Sequence, residues 1–193
     1  FNFLKIHKML CMIDISIPQI VYINEEYKIL ILEDLGNMRF DKIINENNIK
    51  ELLNQAVDSL ILIKNNLKFV SNKNMIKYNQ NIFRTEISEF IDYFYSFKTN
   101  KKIDDDLKEE FYSIWLEKFN SLKLNFDSFV HKDFNLNNLI YLKNRKNHKK
   151  CGIIDFQDAF WGEDCWDLFS LLEDSRVFFT DKYNQYFIKY YFE

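Results

Sequence analysis

A chain of 193 residues, 47% hydrophobic and 18% aromatic, holds enough apolar material for one packed domain, or for one large lobe with part of another, and disorder is excluded. The formal charge of −3 argues against a dedicated nucleic-acid binder, which carries a basic footprint. No apolar run approaches the roughly 20 residues that span a bilayer, and Phe1 to Lys8 lacks the apolar block and cleavage site of a signal peptide. Neither a nucleic-acid nor a membrane partner is therefore expected. Cys11, Cys151 and Cys165 have no metal-ligand spacing and cannot all pair, which points to a reduced, cytoplasmic setting. Phe1 stands where an initiator methionine would, and a helical pattern runs to Phe192 without a cap. Both ends are expected to be cut.

Phe3, Leu4, Ile6, Met9 and Leu10 predict the last turns of an amphipathic helix. Beyond Pro18, Ile20 to Ile23 and Tyr27 to Leu32 predict two strands of a hairpin, with Asn24-Glu25-Glu26 as the turn. Glu33-Asp34-Leu35-Gly36-Asn37 ends the second strand with turn chemistry. Three helices follow. The first carries Ile49, Leu52, Leu53, Ala56, Val57, Leu60 and Ile61 behind Asn47 and Asn48 as candidate caps; the second carries Phe83, Ile87, Phe90, Ile91 and Phe94. The third carries Leu107, Phe111, Ile114, Trp115 and Leu122, with Asp104 to Asp106 at its positive end. All three stripes read as core. Beyond Phe129-Val130 comes a polar loop, then a strand from Leu139 to Leu142, a basic turn from Lys143 to Lys150 and a strand from Gly152 to Ile154. The basic turn reads as a solvated hairpin tip, and His7 and His148 as ordinary helix or surface residues.

Chemistry concentrates in Val130 to Ile140. His131-Lys132-Asp133 is followed by Asn138, the His-x-Asp and Asn spacing of a phosphoryl-transfer loop. Such a reaction needs a carboxylate beside the acceptor hydroxyl and hard oxygen ligands for magnesium. Alone the pattern is weak, but Asp155 ends an apolar strand at an interval that fits two short antiparallel strands and their turn. That hairpin would bring Asp155 beside Asn138. The bland alternative makes Asp133 and Asp155 a loop cap and a turn residue.

The run His131-Lys132-Asp133-Phe134-x-x-x-Asn138-Leu139, with Ile154-Asp155-Phe156-Gln157-Asp158-Ala159, resembles the aminoglycoside phosphotransferase and choline kinase superfamily. Gly162, Asp167-Leu168, Ser170-Leu171-Leu172 and Asp174-x-Arg176 look closest to the bacterial kinases that phosphorylate the anomeric hydroxyl of N-acetylmuramate and N-acetylglucosamine in cell-wall recycling. The resemblance spans roughly residues 17–176 and is tightest over 129–176. It implies an α+β, protein-kinase-like fold, with residues 1–36 as the remainder of an N-terminally truncated small lobe and 37–193 as a mostly helical, incomplete large lobe. It implies ATP and Mg2+ as cofactors and a small-molecule acceptor, an amino sugar first. Asp133 would be the catalytic base, Asn138 and Asp155 the metal ligands, His131 a structural brace and Asp167 a support of the loop from the next helix. The carbonyl of Glu33 and the amide of Leu35 would hold adenine.

Each support has a plainer reading beside it: a helix N-terminal carboxylate for Asp167, and a strand-ending turn for 33–37. Phe156, Phe160 and Trp161 are either walls for a sugar ring or core. No Gly-rich phosphate loop and no Lys paired to a helix Glu precedes residue 17, so this stretch alone is expected to be inactive. A kinase of another branch, acting on an aminoglycoside, choline, ethanolamine or homoserine, and a non-catalytic nucleotide-binding domain are the alternatives. The oligomeric state is left open.

Overall fold

The computed structural model describes residues 2–67 and 75–193. Two compact units are distinguished: 1–75 together with 127–193, and 76–126. Among the described residues no helix is long and apolar enough to cross a membrane.

The first unit opens with α1 (Asn2–Leu10), which buries Ile6, His7, Met9 and Leu10. His7 is therefore not a surface residue. Its Nε2 lies 2.9 Å from the Pro18 carbonyl, which satisfies the ring inside the unit. The strands β1 (Ile20–Asn24) and β2 (Ile29–Leu32) pair antiparallel. Their turn extends to Lys28, whose φ of 53° is left-handed, and the return strand starts later than Tyr27 for that reason. After the short helix α2 (Phe40–Ile43), α3 (Ile49–Asn66) buries Leu52, Leu53, Ala56, Val57, Leu60 and Ile63 on one face. This stripe is core, as its period predicts. Asn48 precedes α3 without capping it; its side chain accepts from Asn45 N (2.7 Å) and donates to the Ile43 carbonyl (2.9 Å) instead.

Two small antiparallel ladders carry the rest. β3 (Ser128–Val130) pairs with β6 (Phe160–Gly162), and β4 (Leu139–Tyr141) pairs with β5 (Cys151–Ile153). Both edges of the β4–β5 hairpin are covered. Ile153 N donates to the Ser16 carbonyl (2.8 Å), and Tyr141 N donates to the Met38 carbonyl (2.7 Å). The Met38 bond ties the segment after β2 to the strand that follows Asn138. The basic turn between β4 and β5 is not a free tip. Arg145 pairs with Glu33 (3.1 Å), Lys150 with Glu51 (3.0 Å) and Lys149 with Asp14, while His148 Nε2 donates to the Asp14 carbonyl (2.7 Å). Opposite charges supplied by three distant segments fold this turn down, and no local pattern announces them. Helices α7 (Trp166–Leu172) and α8 (Asp181–Phe192) close the unit, with Leu168, Leu171, Leu172, Phe187 and Tyr191 buried.

The second unit, 76–126, holds α4 (Gln80–Glu89), a π-helical turn (Phe90–Phe94), α5 (Tyr95–Thr99) and α6 (Asp105–Ser121). Asp104 caps α6 by accepting from the N–H groups of Asp106 and Leu107. Here the stripes read as core are mostly not core. Among the described residues the buried cluster of this unit is Ile91, Ile103 and Tyr112, whereas Phe90, Phe94, Leu107, Ile114, Trp115 and Leu122 are exposed. The π turn breaks the 3.6-residue period on which the first stripe rests, and a pair of packed helices covers only a narrow seam of each. The rings meet one another instead, as in Phe83 on Phe119 (4.7 Å) and Phe90 on Phe94 (5.1 Å).

Candidate active site

The loop from His131 to Asn138 joins β3 to β4, and the turn from Ile154 to Ala159 joins β5 to β6, so the two ladders aim both connections at one place. A single residue stitches them. His131 Nε2 donates to the Ile154 carbonyl (3.0 Å), and Ile154 N donates to the Asn138 carbonyl (3.1 Å). Both ends of the loop thus close on Ile154, and the next residue is Asp155.

His131 is buried, and burial pushes its imidazole down to about 4, so the ring is neutral at pH 7. With a carbonyl as its partner, Nε2 carries the proton. The ring joins two segments of the chain. Asp167, in the first turn of α7, is also buried; its Oδ2 accepts from His131 N (2.7 Å) and its Oδ1 from Lys132 N (3.1 Å). Lys132 has a φ of 85°, in the left-handed region, and the two bonds to Asp167 hold the chain through that bend.

Beyond the bend Asp133 is exposed at the mouth of the loop. Asn138 is buried, and its Nδ2 donates to the Asp133 carbonyl (2.9 Å), which leaves the amide oxygen as its remaining polar end. Asp155 is exposed, with a φ of 67°, a bend that Asp tolerates better than most residues. Its Oδ1 accepts from Gln157 Nε2 (2.7 Å). Asn138 and Asp155 together line a cavity of about 530 Å³, in the range of small-molecule sites.

Glu33, Asp34, Leu35 and Gly36 line the same cavity. The Glu33 side chain accepts from Gln19 N (3.1 Å) and Arg145 (3.1 Å), and Glu33 N donates to the Gln19 carbonyl (2.8 Å). Among the described residues no other group of the protein takes the Glu33 carbonyl or the Leu35 amide. Gly36 has a φ of 85°, and its N–H donates to Asp34 Oδ1 (2.8 Å), closing the turn. The Leu35 side chain rests on β5 where Gly152 leaves room; a Cβ there would come within 2.9 Å of Leu35 Cδ1. Phe156 lines the cavity and stacks on Phe3 (4.9 Å). Phe160 and Trp161 are buried in β6 and belong to the core.

Residues 95–193 match the phosphotransferase enzyme family known as APH. The chain belongs to that family. Most of the site, from His131 to Asp167, falls inside the matched span. The chain is 26% identical over 190 residues to the N-acetylmuramate/N-acetylglucosamine kinase of Neisseria meningitidis, covering 94% of this chain and 52% of that one. It is 26% identical over 169 residues to the kinase of the same name from Caulobacter vibrioides, covering 84% of this chain and 46% of that one. It therefore spans about half the length of the curated relatives it matches. Among solved structures it resembles the ADP-bound aminoglycoside phosphotransferase APH(2″)-Ib, with a TM-score of 0.70 at 20% identity over all of this chain and 66% of that one. It also resembles a choline kinase from Streptococcus pneumoniae, with a TM-score of 0.67 at 16% identity, over 98% of this chain and 60% of that one. These likenesses establish an aminoglycoside-phosphotransferase, protein-kinase-like fold.

One further residue holds the loop of this candidate site. Asp174 is buried and accepts from Leu136 N (3.0 Å), in the middle of the loop. Because the bond runs to a backbone N–H, no side-chain pattern in the sequence marks it.

Proposed function

We propose that this chain is part of a small-molecule kinase that transfers the γ-phosphoryl group of ATP to a hydroxyl, the anomeric hydroxyl of N-acetylmuramate or N-acetylglucosamine first. The observation that carries this reading is one cavity lined by two chemically distinct sets of groups. Glu33 and Leu35, whose carbonyl and amide no other described group takes, line it together with Asn138 and Asp155, which carry side-chain oxygens. Adenine matches a carbonyl and an amide two residues apart. The phosphate-bound cation matches hard oxygen donors.

Two protein oxygens suffice for magnesium, which retains waters and phosphate oxygens as its other ligands. Among the described residues no cluster of three or more His, Cys, Asp or Glu forms an all-protein metal cage, in keeping with that mode. When bound, magnesium would neutralise charge on the transferring phosphoryl group. The chain's own residues do the positioning. Asp133 orients the acceptor hydroxyl and receives its proton, and an anomeric hydroxyl, more acidic than an ordinary alcohol, suits a weakly basic carboxylate. His131 and Asp167 keep that carboxylate in place without exchanging protons with the substrate. Residues 1–36 act as the end of a small lobe with its hinge, and 37–193 as the large lobe. The names of the curated relatives support the amino-sugar acceptor, and three unpaired cysteines accord with a cytoplasmic, reducing setting.

The test is to incubate the full-length protein with ATP, magnesium and, separately, N-acetylmuramate, N-acetylglucosamine, kanamycin, choline and homoserine. Acid-labile phosphate on carbon 1 of the amino sugars is the expected product. Phosphate on kanamycin or choline alone, or on carbon 6, moves the protein to another branch. No transfer to any acceptor defeats the kinase reading.

A further inference from the structure

We infer that Asp174 is a positioning residue that sets the path of the loop between Asp133 and Asn138; this rests on the phosphoryl-transfer reading above. Asp174 lies just past the end of α7, seven residues after Asp167, and the two carboxylates address the same loop at different points. Its side chain is fully buried. One oxygen serves the local turn, since Oδ1 accepts from Arg176 N (2.9 Å) and from the Arg176 guanidinium (3.1 Å). A turn needs nothing more. The other oxygen, Oδ2, reaches across 38 residues of sequence to the Leu136 N–H.

That second bond has no substitute. The start of the loop is held by Asp167 and by the ring of His131, and its end is held by the bond between Ile154 and Asn138. Inside the loop, Asn135 N donates to the Asp133 carbonyl and Asn138 N to the Asn135 carbonyl. Among the described residues, Leu136 N–H is the one backbone group between Asp133 and Asn138 that bonds outside the loop. Arg176, half-exposed, balances the buried charge from the solvent side. Removing Asp174 therefore leaves the middle of the loop between Asp133 and Asn138 with no bond to the rest of the described protein, while its start stays held by Asp167 and its end by Ile154. Misplacement of a reacting group by about 1 Å costs about 100-fold in rate.

The experiment compares the full-length protein with Asp174→Asn, which keeps the shape, and Asp174→Ala. It measures amide hydrogen exchange at Leu136 and Ile154, the dissociation constant of magnesium-ADP, and steady-state kcat and KM. Leu136 exchange should accelerate by at least about tenfold, the loss of one hydrogen bond to a charged group, with Ile154 unchanged. kcat should fall by about 100-fold, while ADP affinity and KM for ATP stay near parental values. Unchanged Leu136 exchange, a parental kcat, or ADP affinity falling in step with kcat overturns the inference. If the parent phosphorylates nothing while Leu136 exchange still responds to the substitution, the phosphoryl-transfer reading falls and the restraint by Asp174 stands.

Discussion

The carboxylate of Asp167 bridges two consecutive backbone N–H groups, those of His131 and Lys132, from the first turn of α7. Burial, and to a lesser degree the charge of Asp133, pushes this carboxyl up to about 7, against the downward pull of the two N–H groups. Between pH 4 and 7 the folded protein then holds a proton on Asp167 that the unfolded chain lacks, so this group lowers stability as pH rises through that window. His131 acts oppositely. Its folded value of about 4 lies below the ordinary 6.5, so between pH 4 and 6.5 the unfolded chain binds the extra proton and stability rises with pH. The two slopes offset each other. Asp167→Asn removes one of them, and the variant should lose stability faster than the parent on acidification from pH 6.5 to 4, measured by denaturant unfolding without metal or nucleotide. Parallel profiles for the two proteins would contradict this.

Lys132 occupies a left-handed conformation that costs a non-glycine residue ~1–2 kcal/mol. A β-branched side chain makes the bend worse. Lys132→Gly should be tolerated, whereas Lys132→Val should unfold at a denaturant concentration lower by the equivalent of ~1–2 kcal/mol relative to the glycine variant. Equal stabilities would show that the backbone relaxes out of this bend.

Gly152 lets Leu35 lie against β5, and with it the turn that lines the cavity. Gly152→Val should displace Leu35 and weaken adenine-nucleotide binding by about tenfold or more, the worth of one or two backbone hydrogen bonds. Isothermal titration with ADP measures this. Parental affinity would mean that the Leu35 amide takes no part.

That Asn138 and Asp155 of the candidate site line one cavity was legible because their positions are written as spacing. Asp133 and Asn138 share one loop, and Asp155 ends a strand whose partner starts at Leu139, so a count along the chain brings them together. Asp174 and β6 were not legible for a common reason: each acts on residues more than thirty positions away through backbone groups, which carry no side-chain signature. The stripes of α4 and α6 misled because periodicity reports which residues share a face, not whether anything covers it. The Lys143–Lys150 turn misled in the opposite sense, since its partners Asp14, Glu33 and Glu51 are remote in sequence.

The central claim is that Asp133 handles the acceptor proton while Asn138 and Asp155 hold the metal. Its most direct test is to measure magnesium-ADP binding and single-turnover phosphoryl transfer on the same preparations of Asp133→Asn and Asp155→Ala. Asp133→Asn should bind magnesium-ADP like the parent and transfer phosphate about 10²–10⁴-fold more slowly, the usual contribution of a general base. Asp155→Ala should lose the magnesium dependence of ADP binding and all measurable transfer. Near-parental transfer by Asp133→Asn, or magnesium-dependent binding retained by Asp155→Ala, would contradict the assignment.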